Sequence, residues 1–98
     1  MGWFSKKKTR TFDEVHADLE SAIQSKNEPL VKQFLEELIS VGDADVKLLE
    51  AYTGRAILIA TEMDWRTVKA FVPWFLEQFP DSLFAVRIEY AKSLLSQR

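Results

Sequence analysis

His16 is the only imidazole in this chain, cysteine is absent, and fifteen Asp and Glu side chains supply the other groups suited to proton transfer or metal binding. One histidine cannot by itself build a histidine-based metal site, and there is no thiolate to complete one. Glu20 stands one helical turn beyond His16, at the spacing of an i, i+4 pair. The apolar stripe, however, runs through Leu19 and Ile23 and turns Glu20 toward solvent. A boundary or core imidazole with a backbone partner is therefore the expectation for His16. The acidic pairs Asp13-Glu14 and Glu36-Glu37 are adjacent, so on a helix their side chains diverge by about 100° and do not converge on a reacting atom. Asp43 and Asp45 fit helix capping better than calcium binding, since no Gly and Glu follow at the spacing of a calcium loop. Phosphate-cradling glycine loops, nucleophile elbows and zinc-protease motifs are missing as well. These residues predict a protein that is not an enzyme and uses no metal or cofactor.

The side chains best suited to recognition are aromatic. Trp65, Phe71, Trp74, Phe75, Phe79 and Phe84 put half of the chain's aromatic residues within twenty positions. On one helix Phe71, Trp74, Phe75 and Phe79 share a single face, which the core of a domain would claim. Trp65 lies off that stripe, and Val68, Val72 and Leu76 extend the apolar surface around the helix. A helix that is apolar over most of its circumference must be central or must meet a partner. Trp beside Arg, as at Trp65-Arg66, is the residue mix of interface hot spots. Trp65, Arg66 and Trp74 are accordingly the expected contact residues, either for another protein or for a second copy of the chain.

A second candidate surface lies in residues 1–10, MGWFSKKKTR. Lys6, Lys7, Lys8 and Arg10 give this stretch a charge of +4, while the other 88 residues hold nine Lys or Arg against fifteen Asp or Glu, a balance of −6. An acidic body is poorly suited to neutralising phosphates, so polyanion contact belongs to the tail. Trp3 and Phe4 could insert at a bilayer interface while the four cations meet anionic headgroups, at roughly 1 kcal/mol each. That gives weak, reversible contact at most. Stacking of the two rings on nucleic-acid bases is the third reading, disfavoured because so short a segment offers few contacts. The myristoylation pattern requires Ser or Thr at position six, where this chain has Lys6. A flexible solvated terminus is the favoured expectation for residues 1–10.

The elements that position these residues read as helices. Ninety-eight residues, 47% hydrophobic and 29% charged, suit one small domain, here expected over 11–98. Thr11-Phe12-Asp13-Glu14 has the capping-box form. After it, Val15, Leu19, Ala22 and Ile23 recur at helical spacing. Asn27 can cap a second helix with Pro29 in its tolerant first turn, and Leu30, Val31, Phe34, Leu35, Leu38 and Ile39 form its inward face before a stop at Gly42. Asp43 or Asp45 opens a third helix that contains Thr53-Gly54. Glycine inside a helix costs about 1 kcal/mol against Ala, so a break or a close helix crossing is expected there. Asp64 is the expected N-cap of a fourth helix, kinked near 69–73 by Pro73. Phe79-Pro80-Asp81-Ser82 marks the boundary before a fifth helix with Leu83, Phe84, Val86, Ile88, Ala91, Leu94 and Leu95 on its apolar positions.

The predicted fold is therefore all-α: five short helices in successive antiparallel hairpins, closed as a small bundle or stacked like a solenoid fragment. Short runs such as AIQSKNEPLVKQFL at 22–35 resemble an ankyrin hairpin, and FPDSLFAVRIEYAKSLL at 79–95 resembles a tetratricopeptide junction. Any packed helical hairpin produces such likenesses, and neither spans half the chain. With no secretory apolar segment and no run that could cross a bilayer, the expected protein is cytoplasmic, or peripheral at the inner face of a membrane. The function that fits is that of a small protein-binding adaptor or regulator.

Overall fold

The structure, a computed structural model, describes residues 11–41 and 45–97. The described residues form six helical segments and no strand: α1 Phe12–Gln24, α2 Glu28–Val41, α3 Val46–Met63, α4 Arg66–Lys69, α5 Val72–Gln78 and α6 Leu83–Ser96. The all-α expectation holds. The expected tail at 1–10, the Gly42 stop and the capping choice Asp43 fall outside the described residues.

Four helix starts are set by side chains within three residues of the amides they satisfy, which is the chemistry of an N-cap. Thr11 Oγ1 accepts from the Glu14 amide at 3.2 Å, and the Glu14 carboxylate accepts from the Thr11 amide at 2.9 Å, completing the capping box. Asn27 Oδ1 accepts from the Leu30 amide, Asp45 Oδ1 from the Leu48 amide, and Ser82 Oγ from the Phe84 amide. Between α1 and α2 the chain reverses through Lys26, which takes a left-handed φ of 55°. The Asn27 amide then bonds back to the Ala22 carbonyl at 3.0 Å. So short a link holds α1 and α2 together as a hairpin.

The segment around Asp64 differs from expectation. Asp64 does not start a helix; it ends α3 in a left-handed conformation with φ 59°, and the Trp65 amide returns to the Ala60 carbonyl at 2.9 Å. Its carboxylate accepts from Lys69 Nζ. Residue 65 then leads into α4 without any side-chain cap of its own. The missing cap comes from another helix, since the Glu28 carboxylate at the start of α2 accepts from the Thr67 amide at 2.9 Å and also from the Thr67 hydroxyl. Those two bonds favour the ionised acid and hold Glu28 below its ordinary value of 4.5.

The single kinked helix expected from Asp64 to Phe79 is two helices. Proline has no amide to donate, and its ring collides with the carbonyl four residues earlier. The chain resolves both problems by ending α4 at Lys69 and starting α5 at Val72, so that Pro73 falls in a first turn where no donor is needed.

The core joins all six segments. Val15, Leu19, Val31, Leu35, Leu38, Ile57, Val68, Phe75 and Ile88 are fully buried. The α1–α2 hairpin packs on α3 and α4, while α6 packs chiefly on α3 rather than on α5, the helix before it. Small-bundle packing fits this arrangement. Four residues at the expected apolar positions do not reach the core: Leu30 on α2 and Leu83, Val86 and Leu94 on α6 are exposed.

At Gly54, α3 continues unbroken and the close-crossing expectation is met. A Cβ built on Gly54 would lie 2.7 Å from Cγ and 2.8 Å from Cβ of Phe84. Phe84 thus occupies the space a side chain would take, and its own Cβ is fixed to the α6 backbone. Gly54→Ala gains about 1 kcal/mol of helix propensity but forces α6 away from α3. Overpacking of this kind costs about 1–3 kcal/mol. Urea denaturation followed by circular dichroism is expected to show a net loss of up to about 2 kcal/mol for Gly54→Ala; a gain in stability contradicts the close approach.

Candidate functional site: the outer face of α6

His16 and its neighbours form a structural cluster. The imidazole stacks on the Tyr52 ring at 3.6 Å between centroids and 11° between planes, and Phe12 also stacks with Tyr52 at 5.4 Å. Its Nε2 lies 3.4 Å from the Glu20 carboxylate. Glu20, expected to face solvent, instead reaches across to α3 and pairs with Arg55. An i, i+4 spacing from His16 and an interhelical cation together draw it in. The cluster fastens α1 to α3. It leaves no carboxyl facing a second carboxyl across a cleft, the arrangement that acid–base chemistry needs. Among the described residues no group of three or more His, Cys, Asp or Glu side chains is placed to hold a metal ion.

The expected contact residues are found in different settings. Trp65 and Trp74 are half-buried and pack against the core, while Arg66 is exposed. The Trp74 ring meets Phe79 edge-on at 6.1 Å and lies 6.3 Å from Phe75, which is fully buried. Phe75 and Phe79 are 5.1 Å apart. The aromatic face is thus mainly an interior feature, the role that its single-face spacing first indicated. Trp65, Arg66 and Trp74 do not line the groove beside the exposed apolar residues of α6. The expected membrane or polyanion residues Trp3, Phe4, Lys6, Lys7, Lys8 and Arg10 lie outside the described residues. No helix among the described residues is long and apolar enough to cross a membrane.

Among the described residues, four of the seven exposed large apolar side chains are on α6; the others, Leu30, Val46 and Met63, are on α2 and α3. Leu83, Val86, Tyr90 and Leu94 retain 76%, 67%, 66% and 46% of their accessible surface. Their offsets of three, four and four residues keep them in one line along the helix. Phe84, Ala85, Ile88, Ala91 and Leu95 turn the other way, toward the body of the protein. Beside the ridge runs a groove of about 510 Å³ between α6 and α3, lined by Leu58, Glu62, Arg87, Ala91 and Leu95 and walled on one side by Val86, Tyr90 and Leu94 of the ridge itself. Its size is that of a ligand or side-chain pocket.

This face carries a signal in the sequence. Apolar residues at 83–86, 88, 90, 91, 94 and 95 surround α6 instead of marking one stripe. A helix of that kind must be central or partnered, and α6 is not central. The same rule was applied to the aromatic helix, where the break at Pro73 and packing on several neighbours dispose of the surplus apolar surface.

Stability measurements separate the two sets of residues. Trp65→Ala is expected to cost about 2–3 kcal/mol, because it removes a large ring packed on the core. Tyr90→Ser is expected to change stability by no more than about 0.5 kcal/mol. Urea denaturation of both variants checks this, and the reverse order would place Tyr90 in the core and Trp65 on the surface.

Compared with known protein families, curated proteins and solved structures, the chain matches none.

Proposed function

We propose that this chain is a non-enzymatic protein-binding module, an adaptor or regulator, whose contact surface is the outer face of α6. The observation that supports it is the line of Leu83, Val86, Tyr90 and Leu94, all exposed, beside an apolar groove. Burying side chains of this size stabilises by about 1.5–3 kcal/mol each. A monomer that leaves four of them in water on one face forgoes that stabilisation, whereas a partner would recover part of it after the costs of association are met. Tyr90 is suited to the centre of such a contact, since it combines a large apolar ring with a hydroxyl that tolerates water.

Trp65, Arg66 and Trp74, the contact residues expected from composition, are reassigned in this reading. The two indoles support the body on which α6 is displayed, and Arg66 stays at the surface. A cytoplasmic setting, with or without a basic tail resting on an anionic membrane, belongs to the same proposal and is supported by composition alone.

The test is a quantitative affinity capture with the full chain as bait, comparing wild type, Tyr90→Asp and Val86→Asp after circular dichroism has shown equal helicity. Both variants place a charge where an apolar contact would form. Proteins recovered with wild type are expected to fall at least tenfold with each variant. Recovery of the same proteins in the same amounts would overturn α6 as the contact surface.

A further inference from the structure

We propose that the partner which covers this face is a second copy of the chain, docked by a two-fold axis that places the α6 ridge of each protomer in the α3/α6 groove of the other. The inference rests on the preceding reading of α6 as a contact surface and commits it to one occupant. A two-fold interface is made of the same patch twice, so that patch must be complementary to itself. Most exposed patches lack this property, because a ridge needs a hole and a cation needs an anion.

The outer face of α6 has both. Val86, Tyr90 and Leu94 project, and the groove lined by Leu58, Ala91 and Leu95 lies directly alongside. Ridge and hole therefore sit within one patch. The charges follow the same pattern. Glu62 on α3 and Arg87 on α6 line the groove, and neither makes an ion pair or a side-chain hydrogen bond among the described residues. Lys69 pairs with Asp64 and Lys92 with Glu89, whereas Glu62 and Arg87 share one groove without such a partner among the described residues. One anion and one cation left over on the same groove are balanced when two copies meet, with Arg87 of each protomer reaching the partner's Glu62. An unrelated acidic or basic partner would satisfy only one of the two.

The deciding measurement is sedimentation equilibrium of the full chain over a wide concentration range, with wild type, Arg87→Glu, the double variant Glu62→Arg/Arg87→Glu, and Tyr90→Asp. All three substituted positions are at the rim or the exposed face, and circular dichroism confirms that each variant folds. Wild type is expected to show a concentration-dependent monomer–dimer equilibrium. Arg87→Glu sets two anions against each other at both ends of the interface and is expected to weaken the dimer at least tenfold. The double variant exchanges the signs and is expected to return the dissociation constant to within about threefold of wild type. Tyr90→Asp is expected to abolish the dimer.

A wild-type chain that stays monomeric at every concentration overturns the proposal, as does a dimer indifferent to both Arg87→Glu and Tyr90→Asp, or one weakened by Arg87→Glu that the double variant fails to restore. These failures are distinguishable from failure of the broader reading. If the chain is monomeric but captured proteins are still lost with Tyr90→Asp, α6 meets a different protein. If neither assay responds to Tyr90→Asp, α6 is not a contact surface at all.

Discussion

The close approach of Phe84 to Gly54 is the contact on which the arrangement of the second half of the chain depends. Without a side chain at 54, the α6 backbone can lie near enough to α3 for Cβ and Cγ of Phe84 to occupy that space. Ordinary interhelical distances are kept by the side chains between the helices, and here one of them is missing by design of the sequence. Glycine inside an 18-residue helix weakens that helix, so its presence makes physical sense only through what it admits. Once Phe84 is seated, helical periodicity does the rest. Ala85, Ile88 and Ala91 turn inward, and Leu83, Val86, Tyr90 and Leu94 turn outward.

The same contact explains why α6 docks on α3 and not mainly on α5. The segment between them is spent on two short helices broken around Pro73, and these fill the interior with Phe75, Phe79 and Trp74. A chain of this length buries only about 60–65% of its unfolded surface, so dense aromatic packing in a short stretch is an economical way to supply a core. Trp65 and Trp74 are drawn into that task. Both remain partly exposed while packing on that core.

Local chemistry was legible in the sequence. The capping box at Thr11 and Glu14, the cap at Asn27, the cap at Asp45 (one of the two acids that could open α3), the boundary at 79–82 and the stripes of α1 and α2 each depend on residues within one or two turns, and the structure has them there. Three features were not legible, each for a definite reason. Asp64 has the residue type of an N-cap, yet an Asp side chain also tolerates the left-handed region, and here it closes α3. The cap of α4 comes from Glu28, 39 residues away, and no local pattern can announce it. The outward phase of α6 was hidden because apolar residues lie all around that helix; only the docking of Phe84 on Gly54 selects which of them remain in water. Glu20 belongs with these cases, since Arg55, its partner, is 35 residues distant.

The orientation of α6 is therefore the claim on which both the fold and the function rest, and the absence of cysteine makes it directly measurable. Single cysteines introduced by Leu83→Cys, Val86→Cys, Tyr90→Cys and Leu94→Cys can be compared with Ala85→Cys, Ile88→Cys and Ala91→Cys in their rates of reaction with a thiol reagent, at protein concentrations low enough to keep the chain monomeric. The account predicts rates near those of the unfolded chain for the first set and protection of about a hundredfold or more for the second. Equal reactivity in the two sets, or protection of the first and not the second, would contradict it.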